Sequence, residues 1–263
     1  MSRFTITLPS SSSVDYHPNN TASQYTTKLN EVIELDGSWE VGLLETSFPS
    51  KLDNVSADNF YYIVNTASNT YARIVLPAGR YTTADDIIDA LHTAQRKVLR
   101  IPPEHEVFVL FRSLRRNQRI AMKILPGRVH IVSVRFSPDL ARMLGFDSNT
   151  NYGGHVEYRG ERPLDLMEKK QNLLYIYCDL LEHVLVGDTK APLLRIVSRS
   201  PEMSSDVDHI TFNPVQYVPL QKKCFDSVTI NMMTDTGVPM SFVPGKSIVV
   251  LEFRRSVHPY LFV

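Results

Sequence analysis

Segments that alternate apolar and polar residues dominate both ends of this chain and thin out in its middle. That split constrains the fold more than any other feature, because a period of two is the mark of an extended strand with one buried face. The first block holds FTITL at residues 4–8, YTTKLNEVIEL at 25–35, WEVGLLETSF at 39–48, FYYIV at 60–64 and YARIVL at 71–76, the last two reading as a hairpin. The second holds LLYIYCDLL at 173–181, APLLRIV at 191–197, VQYVPL at 215–220, SVTINMM at 227–233 and SIVVLEF at 247–253. Asp36-Gly37, Val186-Gly187-Asp188, Asp235-Thr236-Gly237 and Pro244-Gly245 punctuate them as turns. Together the blocks supply about eight long strands, the complement of a jelly roll.

The middle follows a different rule. In TTADDIIDALHTAQRKVLR, Ile87, Ile88, Leu91, Ala94 and Val98 recur at helical spacing. Thr82 or Thr83 is placed to cap it, Asp85 and Asp86 sit in its first turn, and Arg96 and Lys97 near its end suit the macrodipole. Pro102-Pro103 ends it, and short strands follow at 107–111, 120–125 and 129–134. A second, short helix is expected in SPDLARMLGF, with Ser137 as N-cap, Pro138 at the first helical position and Gly145 past the end. The expectation is therefore a mainly β chain: a single jelly-roll β-sandwich built from 1–76 and 172–263, interrupted by a mixed α+β insertion at 77–171. Its core should draw on Trp39, Val41, Leu43, Tyr175, Tyr177, Ile196, Ile230, Val250 and Phe253. Pro49, Pro192, Pro219 and Pro239 should mark strand ends or edges, and Gly187, Gly237 and Gly245 should serve turns.

With 263 residues, 43% of them hydrophobic, the chain can bury a sizeable core. Lys+Arg equals Asp+Glu, which argues against a dedicated nucleic-acid binder and suits dense packing of like copies. The charge is unevenly spread, however. From Arg96 to Arg142 there are eleven Lys/Arg and three acids, a segment that could touch packaged DNA or an acidic partner, or be a solvated face balanced by acids elsewhere. The first residues, MSRFTITLPSSSS, have too short an apolar run for a signal peptide, and no apolar stretch approaches the roughly 18 residues that span a bilayer. No membrane partner is expected, and the sequons at Asn19 and Asn54 read as chance matches. Cys178 and Cys224 both lie in apolar runs and read as reduced, buried thiols.

Nothing in the chain has the spacing of an enzyme site. There is no G-x-S-x-G, H-E-x-x-H, P-loop or G-x-G-x-x-G. Cys178, Asp179 and His183 lie too close along one strand and turn to converge as a thiol-protease set. Asp179, Glu182, His183 and Asp188 around one turn read as a polar loop rather than a metal site, and Asp206, Asp208 and His209 as a solvated loop. The eight histidines are scattered and form no H-x-H pair, which speaks against a cupin-like metalloprotein. The chain is expected to be no enzyme, with no catalytic residues, metal or cofactor.

Three stretches carry a more specific resemblance. They are FTITLPSSSSVDYHPNNTASQYTTKLNEVIELDGSWEVGLLETSFP, then RFSPDLARMLGF, then LLYIYCDLLEHVLVGDTKAPLLRIV with FNPVQYVPL, FDSVTINMMTDTGVPMSF and GKSIVVLEFRR. In this order they resemble the minor capsid (penton) protein of Polinton or Maverick elements, the virus-like DNA transposons of eukaryotes. Residues between about 84 and 135 match that pattern only loosely. The resemblance implies a jelly roll that assembles as a homopentamer at the five-fold vertices of an icosahedral virion. Its neighbour would be a double-jelly-roll major capsid protein, and synthesis would take place in the cytoplasm or nucleus of the host cell. It brings no catalytic residues. The alternative is a carbohydrate- or receptor-binding jelly-roll module, which an exposed aromatic cluster in a pocket would favour. The last apolar run, Tyr260, Leu261, Phe262 and Val263, is costly to leave in water and is expected to be an interface with a neighbouring subunit.

Overall fold

The computed structural model describes residues 3–65, 70–114, 116–126, 131–166, 172–199 and 206–256. The chain begins with three strands, β1 (Arg3–Pro9), β2 (Gln24–Glu34) and β3 (Trp39–Pro49). A middle run follows: β4 (Phe60–Asn65), β5 (Thr70–Val75), α1 (Ala84–Leu99), β6 (Val109–Leu114), β7 (Arg119–Ile124), β8 (Ile131–Phe136), α2 (Pro138–Leu144), β9 (Tyr152–Gly153) and β10 (Glu157–Arg159). The last third holds β11 (Leu173–Cys178), β12 (Val184–Val186), β13 (Thr189–Ala191), β14 (Leu193–Ser198), β15 (Val207–Thr211), β16 (Tyr217–Pro219), β17 (Cys224–Met233) and β18 (Ile248–Arg255). Two compact units result, one from Met1–Leu52 with Lys170–Val263 and one from Asp53–Lys169.

The first unit is a jelly roll. One sheet runs β1-β18-β3-β15, with β16 also beside β3, and the other runs β14-β11-β17-β2. Counted along the chain, the eight long strands pair first with eighth (β1·β18), second with seventh (β2·β17), third with sixth (β3·β15) and fourth with fifth (β11·β14), all antiparallel. That nesting is a single long hairpin rolled up so that successive pairs face each other across a core. Inward residues alternate as the pleat requires. Leu174, Ile176 and Cys178 on β11, Val228, Ile230 and Met232 on β17, and Val249, Leu251 and Phe253 on β18 are all fully buried. In β3 the phase changes part-way: Trp39, Val41 and Leu43 face in, then Thr46 and Phe48. The register against β18 slips between Val250 and Leu251, which pair with Glu45 and Leu43, so Leu44 is the extra residue of a bulge.

Several expectations need correcting here. Tyr175, Tyr177 and Val250 are only partly buried and Ile196 is 45% exposed. They sit on the outer faces of their strands, one residue out of phase with the true core positions. Cys178 is buried but Cys224 is exposed, because Phe225 takes the inward position at the start of β17. Residues 206–209 are not a solvated loop. Val207–Thr211 is the sixth strand of the roll, disguised in the sequence because its inward residues include Asp208, which is 3% exposed. Gly245 does not have a positive φ, unlike Gly187 and Gly237.

The second unit is wound locally. Its sheets run β5-β4-β8-β9 and β10-β7-β6. The division expected at 76/77 therefore moves to 52/53, since β4 pairs with β5 on one side and β8 on the other, and neither β4 nor β5 pairs with a strand of the roll. Thr83 caps α1 through a capping box with Asp86, and Ile87, Ile88, Leu91 and Ala94 form the buried face. Val98 does not belong to that face and is 44% exposed, while Gln95 is fully buried. The Gln95 amide donates to Tyr61 Oη and the Val109 carbonyl, and accepts from the Phe108 and Val109 N–H groups, so no polar atom of it is wasted in the core. α2 is capped by Ser137, starts at Pro138 and ends at Gly145, whose φ is +80°. A Cβ there would run into the Arg162 carbonyl, so only glycine fits. Phe136 centres the aromatic core, with Phe146 5.1 Å, Tyr152 5.8 Å, Tyr61 6.0 Å and Phe111 6.2 Å away by ring centroids.

Candidate functional site

The four residues expected to form an interface, Tyr260, Leu261, Phe262 and Val263, lie outside the described residues. The strand that leads to them does not. β18 ends at Arg255, and Arg255 lines a groove of about 850 Å³ on the edge of the jelly roll. The groove lies between β1 and β2, the outermost strands of their two sheets on that side. Its apolar lining is Phe4, Ile6, Leu29, Val32, Ile33, Leu35 and Trp39. The gap has a local cause. Pairing of β2 with β17 jumps from Ile33↔Phe225 to Lys28↔Ser227, so residues 29–32 are spread opposite Asp226 alone. Lys28 pairs with Asp226 at the jump. The strand thus bows away from its partner, and Phe4, Ile6, Leu29, Ile33 and Leu35 are packed against the core but only partly covered.

The outer face of the other sheet carries a polar network. Glu252, 3% exposed on β18, accepts hydrogen bonds from Arg3 and from the Tyr217 hydroxyl. The Arg254 guanidinium lies 3.5 Å from the Tyr217 ring centroid and donates to Glu40 at 2.9 Å. The hydrogen bond from Arg3, above all, holds the Glu252 carboxyl below the usual range, against the effect of burial. The segment around Val215 and Gln216 crosses β3 so closely that a Cβ on Gly42 would lie 2.6 Å from the Gln216 carbonyl oxygen. These groups are joined to one another and hold strands together.

The residues that suggested chemistry in the sequence are used structurally. Cys178 is buried and its thiol is pushed up to about 12 by desolvation, the opposite of an activated nucleophile. Asp179 accepts from the Thr229 N–H and pairs with Lys222. Among the described residues no group of three or more His, Cys, Asp or Glu has the geometry to hold a metal ion, and no helix is long and apolar enough to cross a membrane. The basic segment is partly neutralised within its own unit, Arg112 by Glu157 and Arg142 by Asp165. Asn54, a sequon residue, is buried, and its amide donates to the Tyr81 and Leu166 carbonyls, a structural use that leaves no free acceptor for a glycan.

One surface went unnoticed in the sequence. On the sheet β5-β4-β8-β9 the face opposite the core presents Phe60, Tyr62, Tyr71, Arg73 and Arg135. Tyr62 is paired across the sheet with Arg73 on one side and Arg135 on the other. A concavity of about 470 Å³ there is lined by Tyr62, Val64, Thr70, Tyr71, Ser133, Arg135 and Asn151. The signal was present in FYYIV, where aromatic residues occupy both phases of one strand. Tyr61 faces the core, so Phe60 and Tyr62 must face out.

No family model matches the chain, and no curated protein matches it. Among solved structures it is similar to the selenomethionine-labelled mavirus penton protein. That alignment covers 97% of this chain and 100% of the other, with 12% identity and a TM-score of 0.43. A chain from the cryo-EM structure of the Sputnik virophage aligns over 97% of this chain and 98% of its own, with 10% identity and a TM-score of 0.41. The jelly roll itself is defined by its strand registers.

Proposed function

We propose that this protein is a structural, non-enzymatic minor capsid subunit, a penton of the Polinton or Maverick type, that forms a homopentamer at the five-fold vertices of an icosahedral capsid. The observation that carries the reading is the complete nested roll of eight strands, entered and left once, with an inserted unit between its third and fourth strands. Such a roll leaves flanks free for side-by-side contact, and a ring of identical subunits needs a heterologous interface that closes. The sequence resemblance supplies the number five, the double-jelly-roll major capsid protein as neighbour, and the virion as location. The tail residues Tyr260, Leu261, Phe262 and Val263 then bind in the groove between β1 and β2 of the adjacent copy, whose apolar lining matches them in character.

Native mass spectrometry and particle averaging test both parts, using the full chain and a form lacking residues 260–263, each with and without the major capsid protein. Five-subunit rings from the full chain, lost or weakened in the shortened form at nearly unchanged Tm, are expected. A stable dimer or tetramer, or a monomer even beside the major capsid protein, overturns the penton reading. A shortened form that melts earlier but still makes rings places the tail on its own sandwich and overturns the arm.

A further inference from the structure

We propose that the outer face of the β5-β4-β8-β9 sheet binds an acidic sugar, a saccharide ring bearing a carboxylate. The site belongs to the inserted unit and does not depend on the capsid reading. Its centre is Tyr71, which leaves 73% of its surface open. The other rings are already engaged. Tyr62 meets Tyr71 edge-on, at 5.4 Å and 88°, and meets Phe60 at 5.3 Å and 74°. Arg73 covers the Phe60 ring with its guanidinium 3.9 Å from the centroid.

A single open ring is what one sugar needs for stacking. It is a poor track for single-stranded nucleic acid, which stacks successive bases on several open rings. The polar groups around Tyr71 fit a sugar as well. Ser133, Asn151 and Arg135 line the same concavity and can hydrogen-bond hydroxyls, and about 470 Å³ lies within the usual size of a ligand pocket, roughly 300–1,000 Å³.

Charge sets the acidic requirement. Arg73 and Arg135 flank Tyr62 across the sheet, both are exposed, and no carboxylate pairs with either among the described residues. Arg112, Arg142 and Arg159 of this unit have acid partners; what distinguishes Arg135 is that it lines the same concavity as the open Tyr71 ring. A guanidinium left unpaired beside an open ring is matched by a ligand that brings its own carboxylate, which it can hold in a two-pronged bond. Sialic acids and uronic acids share this chemistry.

The test is titration calorimetry on the full chain with sialyllactose and with a hyaluronan oligosaccharide, using neutral lactose and an oligothymidine as controls. Saturable binding of at least one acidic sugar, with lactose weaker, is expected, and which of the two binds separates the sources. Tyr71→Ala should weaken that binding about tenfold, and Arg135→Gln should remove the preference for acid over neutral sugar, each a loss of the size expected from one good contact. Both positions are exposed, so unchanged melting should accompany the loss. Absence of binding by both acidic sugars, equal binding of lactose, affinity untouched by either substitution, or tighter binding of oligothymidine through these residues overturns the proposal.

Discussion

In the jelly roll, Arg3 lies opposite Arg254 and Glu34 opposite Cys224; in the inserted unit, Phe60 lies opposite Val75 and Leu114 opposite Arg119. Both regions are made of antiparallel strands with alternating side chains, and both bury aromatic and aliphatic cores. They differ in how far along the chain a strand must search for its partner. Closing a longer loop costs more entropy before any contact is gained. The roll meets that cost for most of its pairs, whereas the insert closes two of its hairpins within a few residues. Strand propensity is therefore a poor guide to which strands belong together. β4 and β5 look like the strands before them and yet pair within the other unit.

The strongest way to break this comparison is to ask whether each core melts alone. Phe111→Ala should cost about 3–5 kcal/mol and Leu251→Ala about 2–5 kcal/mol, as cavities in well-packed cores do. By differential scanning calorimetry, the first should lower only the transition of the insert and the second only that of the roll. If each substitution lowers a single common transition, the two units melt as one and the contrast is lost.

Glu252 sharpens the comparison on the side of the roll. Its folded pKa is depressed, so its contribution is fully present above the unfolded carboxyl value of about 4.3 and is lost as pH falls through the lower folded value. Glu252→Gln should cost the roll about 1–3 kcal/mol at neutral pH, as loss of a charged hydrogen bond to a buried group does. It should also flatten the acid limb of the roll's melting profile and leave the insert unmoved. An unchanged acid limb would show that Arg3 and Tyr217 do not stabilise the carboxylate.

The smallest effect belongs to the cap of α1. Thr83→Ala should lower the insert transition by about 1 kcal/mol, and Thr83→Ser should restore most of it. Urea titrations read by tyrosine fluorescence and circular dichroism resolve a change of that size. A shift in the roll instead would mean the helix is tied to the wrong core.

What could be read in the sequence was local. Thr83, Ser137, Pro138 and Gly145 signalled the two helices because capping is decided within a turn. Pro49 and Pro219 marked strand ends for the same reason. The roll as a class was legible because its strands are long. Which strands compose it was not. Asp208 made an inward-facing strand look like a loop, and in LLYIYC and LLRIV apolar or aromatic residues occupy both phases, so composition did not say whether Tyr175, Tyr177 and Ile196 or their neighbours Leu174, Ile176 and Val197 face the core. The aromatic face escaped notice because assigning β4 to the roll hid which of its sides would be free. The tail residues were noticed for their composition alone, and they fall outside the described residues.

The nesting of first strand with last also sets an order of events on the ribosome. β1 is made before every other strand of the roll and its partner β18 only after residue 247, so the first three strands must emerge and wait. The insert needs nothing beyond residue 169 and can be finished while the sixth, seventh and eighth strands are still being translated. For that interval the nascent chain carries a folded middle and a set of bare strand edges, the kind of edge that pairs with the wrong chain. On polysomes the nearest wrong chain is another copy of the same protein. Yield in cells should therefore depend on how quickly residues 170–255, which complete the roll, are delivered after the insert.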